Sequence, residues 1–207
     1  MPPVDRAILP ALFLLGFDST PDPWFLSDPV PSIDSDAFRR GERVAVPDDL
    51  RIDIDEAGRS LDVTMSGGPI VVVSERVGAV IEELAGEDVQ RIPVRVDDAD
   101  GRYELLHVLA RIDAVDRERT KAYAYRPGAT VGEHGTVASL AAIIGDRTLY
   151  SCVMQDDMVL STAGIEGPRI FRVVGWDLWP VVTGEIKDAL EQIGATGVRY
   201  TPLLTSP

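Results

Sequence analysis

Two histidines and one cysteine are the residues of this chain best suited to metal or nucleophilic chemistry, and their spacing argues against both. A zinc site needs convergent ligands, as in H-x-x-x-H or H-E-x-x-H, and neither His107 nor His134 belongs to such a pattern. His107 lies between Leu106 and Val108 on a stretch that reads as a strand, which makes it a strand histidine. His134 sits in Gly132-Glu-His-Gly135, read as a loop that could host a catalytic group, although an exposed turn residue is the simpler reading. Cys152 beside a histidine would be a nucleophile, but Leu149, Tyr150, Val153 and Met154 around it describe a small core hydrophobe. No G-x-S-x-G occurs, and Ser74 is better explained as a helix cap. Asp97, Asp98 and Asp100 before Gly101 resemble the start of a calcium loop, yet the twelfth position, where a glutamate is required, is Val108. Gly67-Gly68 lacks the lysine of a phosphate loop, and no G-x-G-x-x-G appears. The expectation is no catalytic residue, no metal and no cofactor.

What remains is binding. Glu82, Glu83, Glu87 and Asp88 cluster around a predicted helix, with the Asp97, Asp98 and Asp100 turn nearby in sequence. Trp176 and Trp179 flank Asp177-Leu178, and aromatic residues beside charges are common interface anchors. Alternation places Trp176 and Leu178 on one face and Asp177 and Trp179 on the other, so core packing competes for one of the two tryptophans. The formal net charge of −14 opposes nucleic acid and anionic membranes and admits a basic partner.

These residues hang on a repeated scaffold. Residues 69–94 (PIVVVSERVGAVIEELAGEDVQRIPV) and 178–203 (LWPVVTGEIKDALEQIGATGVRYTPL) align without a gap at an offset of 109. Val73 falls on Val182, Ser74 on Thr183, Ile81 on Leu190, Val89 on Val198 and Pro93 on Pro202. Each copy has a β-branched run suited to a buried strand, then a hydroxyl residue where a helix N-cap belongs. Val77, Val80, Ile81 and Leu84 make one apolar stripe, as do Ile186, Ala189, Leu190 and Ile193. Gly86 and Gly194 stop the helices, and a strand ending near proline follows. Val89 to Val96 alternates, and Tyr103 to Val115 reads as one long strand returning antiparallel. Arg51–Asp55 and Leu61–Met65 read as a hairpin or two short strands. Leu149–Val153, Met158–Leu160 and Ile170–Val174 read as further strands, whereas Val137–Ile144 fits helix or strand equally.

The fold class expected is α+β: mixed, mainly antiparallel sheets with a few short helices, built on two strand-helix-strand units. With 45% apolar residues, the 207-residue chain can bury a real core, read as a single domain of two lobes sharing it. Residues 1–48 form an irregular and strand segment pinned by Trp24, Phe25 and Leu26. Residues 49–120 form the first lobe and 121–207 the second. Ala7–Phe17 is read as a buried strand rather than a signal peptide, because Pro10 interrupts it and Asp18 follows it. One cysteine fits a reducing cytoplasm.

Ser74-Glu75-Arg76, Asp88-Val89-Gln90, Ile92-Pro93-Val94 and Ile170-Phe171-Arg172, in that order, resemble immunity family eleven of bacterial polymorphic toxin systems, a family typified by a myxobacterial protein. The resemblance covers roughly residues 46–203, with an echo at Trp24-Phe25. Gly184-Glu185 departs from the family's acidic pair, and the stretch from Tyr123 to Asp157 is longer than expected. The resemblance implies an α+β protein encoded beside a toxin, which it binds in the cytoplasm, and it carries no catalytic residues. The partner implied is a cognate protein toxin, with a basic nuclease-like domain fitting the acidic charge. Two other readings stand beside it: a small hydrolase or transferase using His134 or Cys152, and a self-associating adaptor that forms a homodimer through a sheet edge.

Overall fold

The computed structural model describes residues 11–18, 22–66, 70–124, 133–139 and 158–207. Its organisation follows from the two repeat units. In the first, β6 (Val71–Ser74), α2 (Glu75–Ala85) and β7 (Val89–Val96) succeed one another; in the second, β14 (Trp176–Thr183), a helix designated α3 (Gly184–Gln192) and β15 (Val198–Pro202) do so. The helix starts, 75 and 184, and the second-strand starts, 89 and 198, both differ by the offset of the sequence alignment. Gly86 and Gly194 follow the helices with φ of 53° and 62°, a region that side chains with a Cβ rarely take.

Neither unit pairs its own two strands. In the first, β8 (Tyr103–Val108) lies antiparallel between β6 and β7. In the second the same slot is filled by β1 (Leu12–Phe17), antiparallel to both β14 and β15. Each unit is therefore a split β-α-β, one closed by the strand that follows it and the other by the start of the chain. The first sheet has the order β3-β7-β8-β6-β5, with β3 at Arg51–Ile52 and β5 at Val63–Met65. The second has the order β15-β1-β14-β13-β9, with β13 at Ile170–Val173 and β9 at Arg111–Ile112. Short pairs complete the set: β2 (Phe25–Leu26) with β4 (Ile54–Glu56), β10 (Lys121–Ala124) with β11 (Glu133–Thr136), and β12 (Val159–Ser161) with β16 (Leu204–Ser206). The α+β expectation of mixed, mainly antiparallel sheets holds, with two five-stranded sheets and three two-stranded pairs among the described residues.

Alternation along the strands sorts side chains between three clusters. Leu106 and Val108 of β8, Val71 and Val73 of β6, Leu15 of β1 and Val182 of β14 join Val77 and Ile81 of α2 and Ile186 and Leu190 of α3. This cluster therefore spans both units. Tyr103 and Leu105, on the opposite face of β8, pack with Trp24, Leu26, Phe38 and Leu50. Leu12, Leu14, Phe171, Val173 and Trp176 cover the other face of the second sheet.

Several expectations need correction. The strand foreseen over Tyr103–Val115 breaks after Val108, where Leu109 N–H donates to the Asp88 carbonyl at 2.7 Å. The chain then crosses to the second sheet as β9, parallel to β13. Of the two readings around Gly58, short strands form and the hairpin does not: Arg51–Asp55 divides between β3 and β4, Leu61–Met65 supplies β5, and all three pair with other strands. The segment through 48 is not wholly irregular: α1 (Ser35–Arg40) is capped by the Asp34 carboxylate, which accepts from Asp36 and Ala37 N–H groups at 3.0 Å. Phe25 does not pin that segment, for it is 45% exposed while Trp24 and Leu26 are buried. Ser74 and Thr183 hold the N-cap positions, but neither hydroxyl caps. The Ser74 hydroxyl instead donates to Asp62.

Candidate protein-binding surface

Three of the acidic residues singled out in the sequence stand at the C-terminal end of α2. Glu82, Glu83 and Glu87 are all exposed there. Helix carbonyls concentrate negative potential at that end, where cations are normally favoured, yet the last turn of α2 carries no basic residue. Arg169 supplies partial relief by donating to the Leu84 carbonyl at 2.8 Å. A groove of about 540 Å³ opens beside this end, lined by Arg43, Glu82, Glu87, Gln90 and Arg91 among others. Glu83→Lys is expected to raise stability by about 0.3–1 kcal/mol through the helix dipole alone. A thermal melt checks this, and an unchanged or lowered midpoint would refute the electrostatic account.

Asp88 does not belong to the free surface. It is half-buried, its carbonyl receives Leu109 N–H, and burial pushes its carboxyl above the ordinary value against the opposing hydrogen bond from the Arg169 backbone N–H. Asp97, Asp98 and Asp100 are not near the helix end either. β7 separates the two groups by eight residues, roughly 26 Å of extended chain. The turn instead lies beside the N-terminus of α2, where Glu75 N–H donates to the Arg102 carbonyl at 2.9 Å. Asp97 is paired with Arg95 at 2.8 Å, whereas Asp98 and Asp100 are exposed. The single acidic surface expected from sequence is thus two surfaces.

Trp176 is 4% exposed, inside the core, so it offers nothing to a partner; Trp179 is partly buried against the same cluster. His107 is fully buried and stacked on Phe38 at 3.9 Å between ring centroids. Its Nε2 lies 2.7 Å from the Glu42 carbonyl, which can only accept, so that nitrogen carries the proton. Burial, above all, lowers its pKa and holds the ring neutral. His134 is exposed on β11, opposite Tyr123, on a strand rather than in a loop. Cys152 lies outside the described residues. Among the described residues no group of three or more His, Cys, Asp or Glu side chains is placed to hold a metal. Among them, also, no helix is long and apolar enough to cross a membrane.

Sequence reasoning missed a buried ion network under α2. Glu104, 7% exposed, accepts from Arg91 Nε at 2.6 Å and Nη2 at 2.8 Å. Arg91 Nη1 reaches Glu82 at 2.6 Å. Gly78 and Glu82, four apart on one helix face, lie over this pair, and a Cβ at Gly78 would overlap Glu104 Oε2. The detectable signal was the glycine itself, since glycine within a helix costs stability unless something must approach closely.

The motif residues that carried the family resemblance serve the scaffold. Arg76 pairs with Asp62 and donates to the Ile193 carbonyl at 2.7 Å. Gln90 clamps Val44, accepting its N–H at 3.0 Å and donating to its carbonyl at 2.8 Å. Phe171 is fully buried. A partner surface therefore has to be sought among other residues. Residues 25–205, most of the chain, match the model of the family described as Immunity protein family (Imm11). No curated protein matches the chain.

Proposed function

The chain belongs to this immunity protein family, and we propose that it binds a cognate bacterial toxin in the cytoplasm and neutralises it by covering its active surface, without catalysis of its own. The family match over residues 25–205 is the observation that carries this reading. The net charge of −14 supports a basic toxin, nuclease-like in its charge. Complementary potential accelerates encounter and opposes competing anionic partners. A blocking protein needs only to arrive quickly and leave slowly, and neither requirement calls for reactive side chains.

The test pairs this chain with the toxin domain encoded beside it. Co-expression is expected to restore growth that the toxin alone abolishes, and the purified pair is expected to associate faster at low salt. His134→Ala and Cys152→Ala should protect as well as the unaltered chain. Loss of protection in either variant, with toxin binding intact, would turn the reading toward a hydrolase or transferase. Failure of the unaltered chain both to protect and to bind would overturn the proposal.

A further inference from the structure

We propose that the toxin docks on the outward face of the β2–β4 ladder, with Phe25 as the apolar anchor and carboxylates as the rim. The proposal rests on the toxin-binding reading above and names its surface.

Residues 25–30 run antiparallel to 51–56, whereas Pro23 bridges Arg59 in the parallel sense. Val30 pairs with Arg51, Ser27 N–H donates to the Asp53 carbonyl at 3.0 Å, and Phe25 stands opposite Glu56. The inward side chains, Trp24, Leu26 and Ile54, pack into the cluster on the first sheet. Phe25, between Trp24 and Leu26, meets solvent at 45% exposure, as does Val30 beyond the end of β2. Only Val46 and Leu204 join them as exposed large hydrophobics among the described residues, and of the four Phe25 alone lies within the β2–β4 pair, Val30 being bridged to Arg51 of β3. An aromatic ring held outward on a strand flanked by a buried tryptophan and leucine loses little freedom on docking. Such anchors, inside a polar rim, dominate interface energies.

The rim specifies the partner. Glu56 is exposed on β4 and Asp28 just beyond β2, and neither makes an ion pair among the described residues; the exposed Arg59, bridged to Pro23, is the cation nearest the start of β2. Asp97 N–H donates to the Ile52 carbonyl at 3.1 Å, which brings the turn bearing Asp98 and Asp100 to the same edge. The matching surface is therefore a protein with an apolar socket ringed by lysine and arginine. Nucleic acid and anionic lipid fail on charge. The acidic end of α2 offers the charge without an anchor, because Val80 and Leu84 there are partly buried.

Binding of the full-length chain to the toxin domain encoded beside it, at low and high salt, tests the assignment. Phe25→Ser should weaken affinity by roughly thirtyfold, chiefly through faster dissociation, with an unchanged melting temperature. Asp28→Lys with Glu56→Lys should slow association about tenfold and flatten its salt dependence. Glu82→Lys with Glu83→Lys and Glu87→Lys, a larger change in net charge, should alter affinity by less than about threefold, because surface electrostatics away from an interface is screened. Unchanged binding by Phe25→Ser overturns the docking face and leaves the immunity role standing. A helix variant that loses as much affinity as the ladder variants does the same, since net charge would then explain both. Absence of binding by the unaltered chain overturns the immunity role and this assignment with it.

Discussion

Replacing Glu104 with alanine is expected to destabilise the protein by about 3 kcal/mol, the lower end of what breaking a buried ion pair costs. Glu104 and Arg91 side chains are only 10% and 20% exposed. Removal of the carboxylate leaves a guanidinium under α2 with Glu82, itself 55% exposed, as its remaining carboxylate partner. In the intact protein Glu104, then Glu82, raise the Arg91 pKa; without Glu104 the guanidinium still cannot escape by losing its proton, because it stays charged far above neutral pH on its own. Replacing both residues with methionine should recover most of the loss, because the desolvation of both charges disappears with them.

Gly78 supplies the sharper form of the same prediction. In an exposed helix interior, glycine to alanine gains up to about 1 kcal/mol. At Gly78 the new methyl would overlap Glu104 Oε2 and come within 3.0 Å of Arg91 Nε. Gly78→Ala is therefore expected to destabilise by about 1–3 kcal/mol, as overpacking does. In a Glu104→Ala background the sign should reverse. Denaturant titration of the four proteins gives the coupling energy directly. Additive effects would show that the glycine is not there to admit the ion pair.

The repeat was readable because its signals are local. A β-branched run, an apolar stripe of helical period and a stop glycine recur over residues 71–86 and again over 180–194, and each depends only on residues a few positions apart. The strand that fills each slot was not readable. Nothing in Leu12–Phe17 says that it pairs with Val198–Pro202, since a buried strand presents the same pattern to any neighbour. The acidic site failed for a related reason. Glu87 and Asp97 are ten positions apart in sequence, but the eight-residue strand between them carries them to opposite ends of the sheet. Phe25 was misread because an aromatic beside a tryptophan looks like core, whereas alternation on a strand turns one of them outward.

Asp62 joins the two units, and its removal is expected to cost about 2–4 kcal/mol through several hydrogen bonds to one charge. It lies just before β5, at 12% side-chain exposure. Its carboxylate accepts from the Ser74 hydroxyl at 2.8 Å, from Arg76, and from the Thr196 N–H at 2.9 Å and hydroxyl at 2.8 Å. Arg76 in turn donates to Ile193 and Gly194 carbonyls at the end of α3. A second pair completes the arrangement with charges exchanged. Glu185, the position equivalent to Arg76 in the second unit, holds Arg169 at 2.9 Å, and Arg169 donates to Leu84 at the end of α2. Each helix thus has its C-terminal carbonyls met by an arginine from beside the start of the other, which fixes the two helices antiparallel. Arg169 and Glu185 are 44% and 56% exposed, so Arg169→Ala should cost only about 1 kcal/mol, against the larger loss at Asp62.

The pH dependence follows from the same contacts. Burial alone would raise the Asp62 pKa, but the bonds from Arg76, Thr196 and Ser74 outweigh it and hold the carboxyl well below the usual carboxylate range. A depressed folded-state pKa means that the unfolded chain takes up the proton first. The stabilisation from Asp62 is then complete at neutral pH and is lost progressively as pH falls below about 4. Asp62→Asn lacks that contribution at every pH. The stability difference between the unaltered chain and Asp62→Asn should therefore be largest near neutrality and shrink on acidification, as measured by denaturant unfolding across the acid range. A difference that stays constant with pH would mean that the carboxylate's charge contributes nothing to holding the two units together.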